Sequence, residues 1–357
     1  MSIWQWARWL PSVPAQAQIT LGEGNTPLVR SKRLGPELGL TELWFKLESA
    51  SPTGSYKDRF AAALVADMLA HQKRRCLATS SGNTGSALAA YCAAAGLACK
   101  IAIVETAPEG KLKQMLAYGA QLYRVRGFGT DAAVTQRVMD HLKQQAQQPD
   151  ATLAISAFHY SPQGMVGVQT LSYELAQQMD GKIDHVFCPA GGGGLTLAVA
   201  KGFEVLSREG RLSRPVKVHC VQPEGNDTIA TPLHQGAAEA RAVACTSQIS
   251  GLQVANVIDG HEVIRACRAC GGDGHTVSDE EVWAMQQRLA RQEGIFCEPA
   301  GAVATAAVYK AAQAGRLAPD ARIVCLVTGS GFKDPLSIDR MTADASCPLI
   351  EVDDLAP

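Results

Sequence analysis

From residue 43 onward, short apolar runs alternate with longer stretches in which apolar residues recur every three or four positions. The runs predict strands over 43–47, 76–80, 100–104, 121–125, 152–156, 184–189, 216–222 and 322–327. The periodic stretches predict helices over 58–71, 84–95, 110–118, 130–146, 165–179, 195–208, 279–293 and 301–314. Such alternation predicts an α/β chain of two domains, each built on a mainly parallel, doubly wound sheet. Residues 1–42 read as irregular, with Trp4, Trp6 and Trp9 as packing anchors and Glu23–Leu28 turning into a short strand. Residues 224–276 carry the least regular pattern. A boundary near Ser161–Gly164 gives a smaller domain, 43–158, and a larger one, 1–42 plus 159–357.

Composition narrows the class. A chain of 357 residues with 46% hydrophobic content can bury a core for each domain. Lys plus Arg number 33 and Asp plus Glu 34, so no basic field invites nucleic acid. The eleven cysteines lie mostly in apolar runs (Cys76, Cys92, Cys188, Cys220, Cys325), as reduced thiols of a cytoplasmic protein do. Cys267 and Cys270 have CxxC spacing, but no second pair accompanies them, so no metal is expected. The N-terminal MSIWQWARWLPSV lacks the long apolar core and cleavage site of a signal peptide. No apolar run is long enough to span a bilayer, so no membrane partner is expected.

Four turns between predicted strands and helices carry the chemistry. Thr53–Arg59 (TGSYKDR) places Lys57 at a helix start, where an amine can be desolvated and held against a carbonyl, as a Schiff-base lysine requires. Alone, this reads more simply as a surface lysine. Ser80–Gly85 (SSGNTG) offers small residues, hydroxyls and Asn83 at another helix N-terminus, suited to a carboxylate. Gly191–Gly194 stands between an apolar strand and a helix, where converging N–H groups can cradle a phosphate. A structural turn needs one or two glycines rather than four. The stretch is neither a Walker loop nor a dinucleotide fingerprint, since no Gly-Lys-Ser/Thr follows and Thr196 replaces the third glycine. Thr328–Asp334 (TGSGFKD) follows the last strand and brings a hydroxyl. Amine, amide, phosphate cradle and hydroxyl together match the four edges of pyridoxal 5'-phosphate (PLP).

With Glu23–Leu28 (EGNTPL) and Glu293–Ala300 (EGIFCEPA), these motifs make the chain resemble the tryptophan-synthase-β superfamily of PLP enzymes, and most of all its threonine-synthase branch. The resemblance covers about Leu21 to Pro335. It implies PLP fold type II, with the cofactor in the cleft between the two domains. It also implies a lyase acting on a small amino-acid substrate, and a homodimer. Position by position, it implies that Lys57 binds the cofactor and moves protons, that Asn83 meets the ring hydroxyl, and that Gly191, Gly192, Gly193 and Gly194 hold the phosphate. Thr328 would face the ring nitrogen, and Ser81, Gly82 and Thr84 the substrate carboxylate. A neutral hydroxyl at that nitrogen favours elimination and replacement over transamination. The chain departs from the threonine-synthase pattern where that branch binds the phosphate of O-phosphohomoserine. The family's polar pair falls on Phe158-His159 and its arginine on Gly164. The tetraglycine and Ile249–Leu252 (ISGL) are commoner in members that eliminate or replace at Cβ of serine-, threonine- or cysteine-type amino acids. His159 reads as packed core. Arg124, Arg126, Lys111 and Lys113 read as solvated.

Overall fold

A computed structural model describes residues 2–107 and 109–355. Among the described residues, ten strands form two sheets: β1 Leu28–Arg30, β2 Glu42–Leu47, β3 Arg75–Thr79, β4 Ala98–Ile103, β5 Gln121–Arg124, β6 Ala151–Ala154, β7 His185–Pro189, β8 Lys217–Pro223, β9 Gly274–Val277 and β10 Arg322–Val327. The larger sheet has the order β1-β2-β10-β7-β8-β9 and the smaller β5-β4-β3-β6. Every pairing is parallel except β1 with β2. The central strands are apolar throughout because helices cover both their faces: β10 reads Arg-Ile-Val-Cys-Leu-Val, and its last five residues are buried.

Between the sheets lie the helices Lys57–Ala70 and Pro162–Gln178, which share one hydrophobic core with residues from both sheets. Small residues let their backbones approach closely. A Cβ on Gly167 would stand 2.2 Å from the Arg59 carbonyl oxygen, and one on Gly164 would stand 2.5 Å from the Phe60 ring. The N-terminal tryptophans pack on the same layer: Trp9 lies 4.5 Å from the Tyr173 ring and stacks on Trp6, and Trp4 donates to the Ile19 carbonyl.

The run 43–47, expected in the smaller domain, forms β2, which hydrogen-bonds between β1 and β10 in the larger sheet. An apolar run does not say which sheet will take it; partner strands decide. The stretch 224–276 is also more regular than its pattern suggests. It contains the helix Gly260–Ala269 and most of the edge strand β9.

Candidate active site between the sheets

The Lys57 turn is held by its own motif. Thr53 donates through its backbone N–H and its hydroxyl to the buried carboxyl of Asp58, at 2.7 and 2.5 Å. Gly54 takes φ +89°, which favours glycine. The turn is bonded to the loop after β10: Tyr56 N–H donates to the Thr328 carbonyl, and Ser330 N–H to the Gly54 carbonyl. The Lys57 amine therefore emerges into the cleft at a fixed place. Its Nζ donates to Ser156 Oγ at 2.5 Å and lies 4.5 Å from the Tyr56 ring. The Ser156 hydroxyl also meets Thr84 Oγ1 at 3.0 Å. Burial lowers the Lys57 pKa to about 8, against the opposing pull of Glu298 and Asp259. An amine so placed is partly unprotonated near neutral pH, as a nucleophilic lysine must be.

Ser156 also ties the lysine to the tetraglycine turn. A Cβ on Gly194 would stand 3.1 Å from the Ser156 carbonyl oxygen and 3.3 Å from an Asp259 carboxylate oxygen. Gly193 has φ +93° and caps the helix Gly194–Arg208 with no side-chain hydrogen bond. The N–H groups of Gly191 to Leu195 donate to no acceptor among the described residues. Free N–H groups at a helix N-terminus are an oxyanion site. The Asp259 carboxylate, close by, is occupied by the N–H groups of Phe158 and His159 at 2.8 and 3.0 Å.

The opposite wall is built from Asn83, Glu298 and the turn after β10. Asn83 Nδ2 donates to Glu298 Oε1 at 2.8 Å, and Glu298 N–H donates to the Gly329 carbonyl at 3.1 Å. A Cβ on Gly329 would stand 2.3 Å from Glu298 Oε1, so only glycine leaves room for that carboxyl. Burial raises the Glu298 pKa to about 7, which the Asn83 hydrogen bond, Lys333 and Lys111 only partly offset. Thr328 is buried beside it. Gly85 lets the Ser80–Gly85 loop close tightly, since a Cβ there would stand 2.6 Å from the Ser80 carbonyl. Ser81 and Gly82 are half-buried on that loop.

The structure thus brings Lys57, Thr84 and Gly194 together through Ser156, Lys57 and Thr328 through the turn backbones, and Asn83 to Gly329 through Glu298. Sequence reasoning gave no role to Ser156, Glu298 or Asp259. Only Glu298 had a signal, as part of the EGIFCEPA stretch.

A second layer immobilises the lysine helix. Arg59, fully buried, forks onto Glu48 with two bonds of 2.8 Å and reaches Glu174 at 2.9 Å. Lys46 pairs with Glu174 and donates to the Thr26 carbonyl at 2.7 Å. Two cations and two carboxylates cancel, which makes their burial tolerable and fixes how the helix crosses its neighbours.

Two expectations change. His159 is exposed, edge-on to Tyr160, rather than packed in the core. Lys111 is not solvated: it donates to Asp334 at 2.9 Å and to Ser250, and so ties the helix Glu109–Ala117 to the larger sheet's loops. The CxxC pair is packing: Cys270 Sγ accepts from Val218 N–H, and burial raises both thiols. No helix is long and apolar enough to cross a membrane among the described residues.

The residues present fit pyridoxal phosphate: a desolvated lysine stands beside a row of unpaired N–H groups at a helix start. The family described as "Pyridoxal-phosphate dependent enzyme" matches residues 19–329. The chain belongs to this family of PLP-dependent enzymes. Among curated PLP-dependent relatives, threonine synthase of Methanocaldococcus jannaschii is 34% identical over 340 residues, 94% of this chain and 81% of the relative. Threonine synthase of Mycobacterium tuberculosis is 32% identical over 318 residues, covering 89% and 84%. Among solved structures, threonine deaminase isoform 2 of Solanum lycopersicum superposes with a TM-score of 0.75 at 21% identity, covering 97% and 94%. L-serine ammonia-lyase of Rhizomucor miehei gives 0.75 at 20%, covering 90% and 99%. The fold is PLP fold type II, and the enzyme is a PLP-dependent lyase.

Proposed function

We propose that this PLP-dependent lyase works by elimination and replacement on a small amino acid, and that its reaction is of threonine-synthase type: loss of phosphate from O-phosphohomoserine and addition of water to give threonine. Bound in the cleft, the cofactor supplies an electron sink for the carbanion at Cα. Lys57 carries the cofactor and moves the proton at its Nζ. Gly191 to Gly194 hold the phosphate through their N–H groups, Asn83 meets the ring hydroxyl and Thr328 meets the ring nitrogen. Ser81, Gly82 and Thr84 bind the substrate carboxylate. The observation that supports this reading is the row of contacts from Lys57 Nζ through Ser156 to Thr84 and Gly194, with the amine between the Ser80–Gly85 loop and the tetraglycine turn. The threonine-synthase assignment rests on the curated relatives.

A second reading, elimination or replacement at Cβ of a serine-, threonine- or cysteine-type amino acid, is favoured by one observation. Gly164 lies so close to Phe60 that no arginine fits there without displacing the ring, and Phe158 and His159 spend their N–H groups on Asp259. A substrate dianion would lack its bidentate cation there. A panel of O-phosphohomoserine, serine, threonine, O-acetylserine and O-phosphoserine decides. Threonine and phosphate formed from O-phosphohomoserine support the first reading. A keto acid from serine or threonine, with O-phosphohomoserine inert, supports the second. Inertness towards the whole panel removes both.

A further inference from the structure

The smaller sheet is covered unequally. On one face the helix Ala132–Ala146 packs over β3 and β6, and Leu77, Leu142 and Ala151 form a small core there. Among the described residues, no helix packs over the same face of β4 and β5. The uncovered strip is a groove of about 860 Å³ beside that helix, a size that suits a small organic molecule. Its floor is apolar: Ile101 and Ala102 are buried, Val125, Val134 and Val138 are half-buried, and Tyr123 is 53% exposed along one edge.

The rim is cationic. Lys100, Arg126 and Arg137 line the groove, and none has a carboxylate within ion-pair distance among the described residues. Neighbouring Arg124, outside the groove, does pair, with Glu109 at 4.0 Å. The one acid on the rim, Asp140, accepts from Gln136 at 2.8 Å. Long cationic side chains lay their stems on apolar surface and keep their charge at its edge. Three unneutralised cations around an apolar trough complement a molecule with an apolar body and an anionic head.

We propose that this groove is a second ligand site, distinct from the cleft of Lys57, for a small amphipathic anion: one carboxylate, phosphate or sulfonate head on an aliphatic or aromatic body. The head lies between Arg126 and Arg137, and the body covers Val125, Val134 and Val138. The site can also influence catalysis. Leu77, on the groove floor, lies in β3, and β3 runs directly into the Ser80–Gly85 loop.

The test uses the full chain loaded with pyridoxal phosphate. 1-Anilinonaphthalene-8-sulfonate serves as the fluorescent probe, with decanoate and decanol as competitors. The expected result is one probe bound per chain, displaced by decanoate and not by decanol. Two variants locate it: Arg126→Glu with Arg137→Glu weakens binding by about tenfold or more, and Val134→Asp abolishes it. Val134 is half-buried, so circular dichroism and the cofactor's absorption confirm that each variant is folded. Three results overturn the proposal: equal affinity in the folded variants, equal displacement by decanol, or probe binding only when dilution separates two copies, which makes the groove a subunit interface.

Discussion

Glu298 is the residue through which the site's electrostatics can be measured most directly. It sits buried between Asn83 and Gly329, and burial raises its pKa from the ordinary 4.5 to about 7. The folded chain therefore holds a proton that the unfolded chain has already released between pH 4.5 and about 7. Linkage fixes the sign: stability falls as pH rises through that window and levels off above it. A shift of this size corresponds to about 3 kcal/mol at full ionisation. Glu298→Gln keeps the shape and the acceptor for Asn83 while removing the titration. The variant should match the parent near pH 4.5 and exceed it by about 3 kcal/mol at pH 8, on the same linkage. Urea unfolding of the cofactor-free protein from pH 4.5 to 8.5, parent beside variant, measures the difference. A stability gap that does not change with pH would show that the carboxyl titrates in the folded chain as it does in the unfolded one, and the account of its burial would fail. Turnover of the cofactor-loaded variant then tells whether the carboxyl also serves the reaction.

Lys57→Ala should fold, lose the visible absorption of covalently held cofactor, and lose turnover by at least about 10²–10⁴-fold; unchanged turnover removes the lysine from its role. Arg59→Met leaves Glu48 and Glu174 facing Lys46 alone and should cost about 3–5 kcal/mol in urea unfolding; Glu48→Gln added to it should restore part of the loss. The chain His185–His219–His275, buried at His219 and half-buried at its ends, has nitrogen contacts of 2.9 and 3.1 Å and is held neutral by desolvation, which lowers His275 to about 4 and His219 to about 2. Its stability is fully present above pH 6.5 and is lost as pH falls toward 4, because the unfolded chain then binds more protons. Melting temperature between pH 7 and 4 should drop steeply in the parent and less in His275→Asn; parallel curves would refute this.

What could be read along the chain was what depends on neighbours in sequence. The apolar runs of β7 and β10 need no partner to be recognised, because a strand covered on both faces must be apolar throughout. The turns at Lys57, Ser80–Gly85 and Gly191–Gly194 were legible for a similar reason: close approach of a backbone to a ligand demands glycine and small polar residues at fixed offsets from a strand end. Tertiary structure decided what depends on neighbours in space. The lysine's partner, Ser156, is 99 residues away, and Asn83 and Glu298 are 215 apart. No local pattern marks either pair. Lys46 looks like any polar residue of a strand until folding sets Glu174 against it across 128 residues. The same holds for the sheet that takes β2, for the exposure of His159, and for the proton on Glu298. Hydrogen-bond partners and local dielectric are properties of an assembled interior, and no stretch of chain carries them before that interior exists.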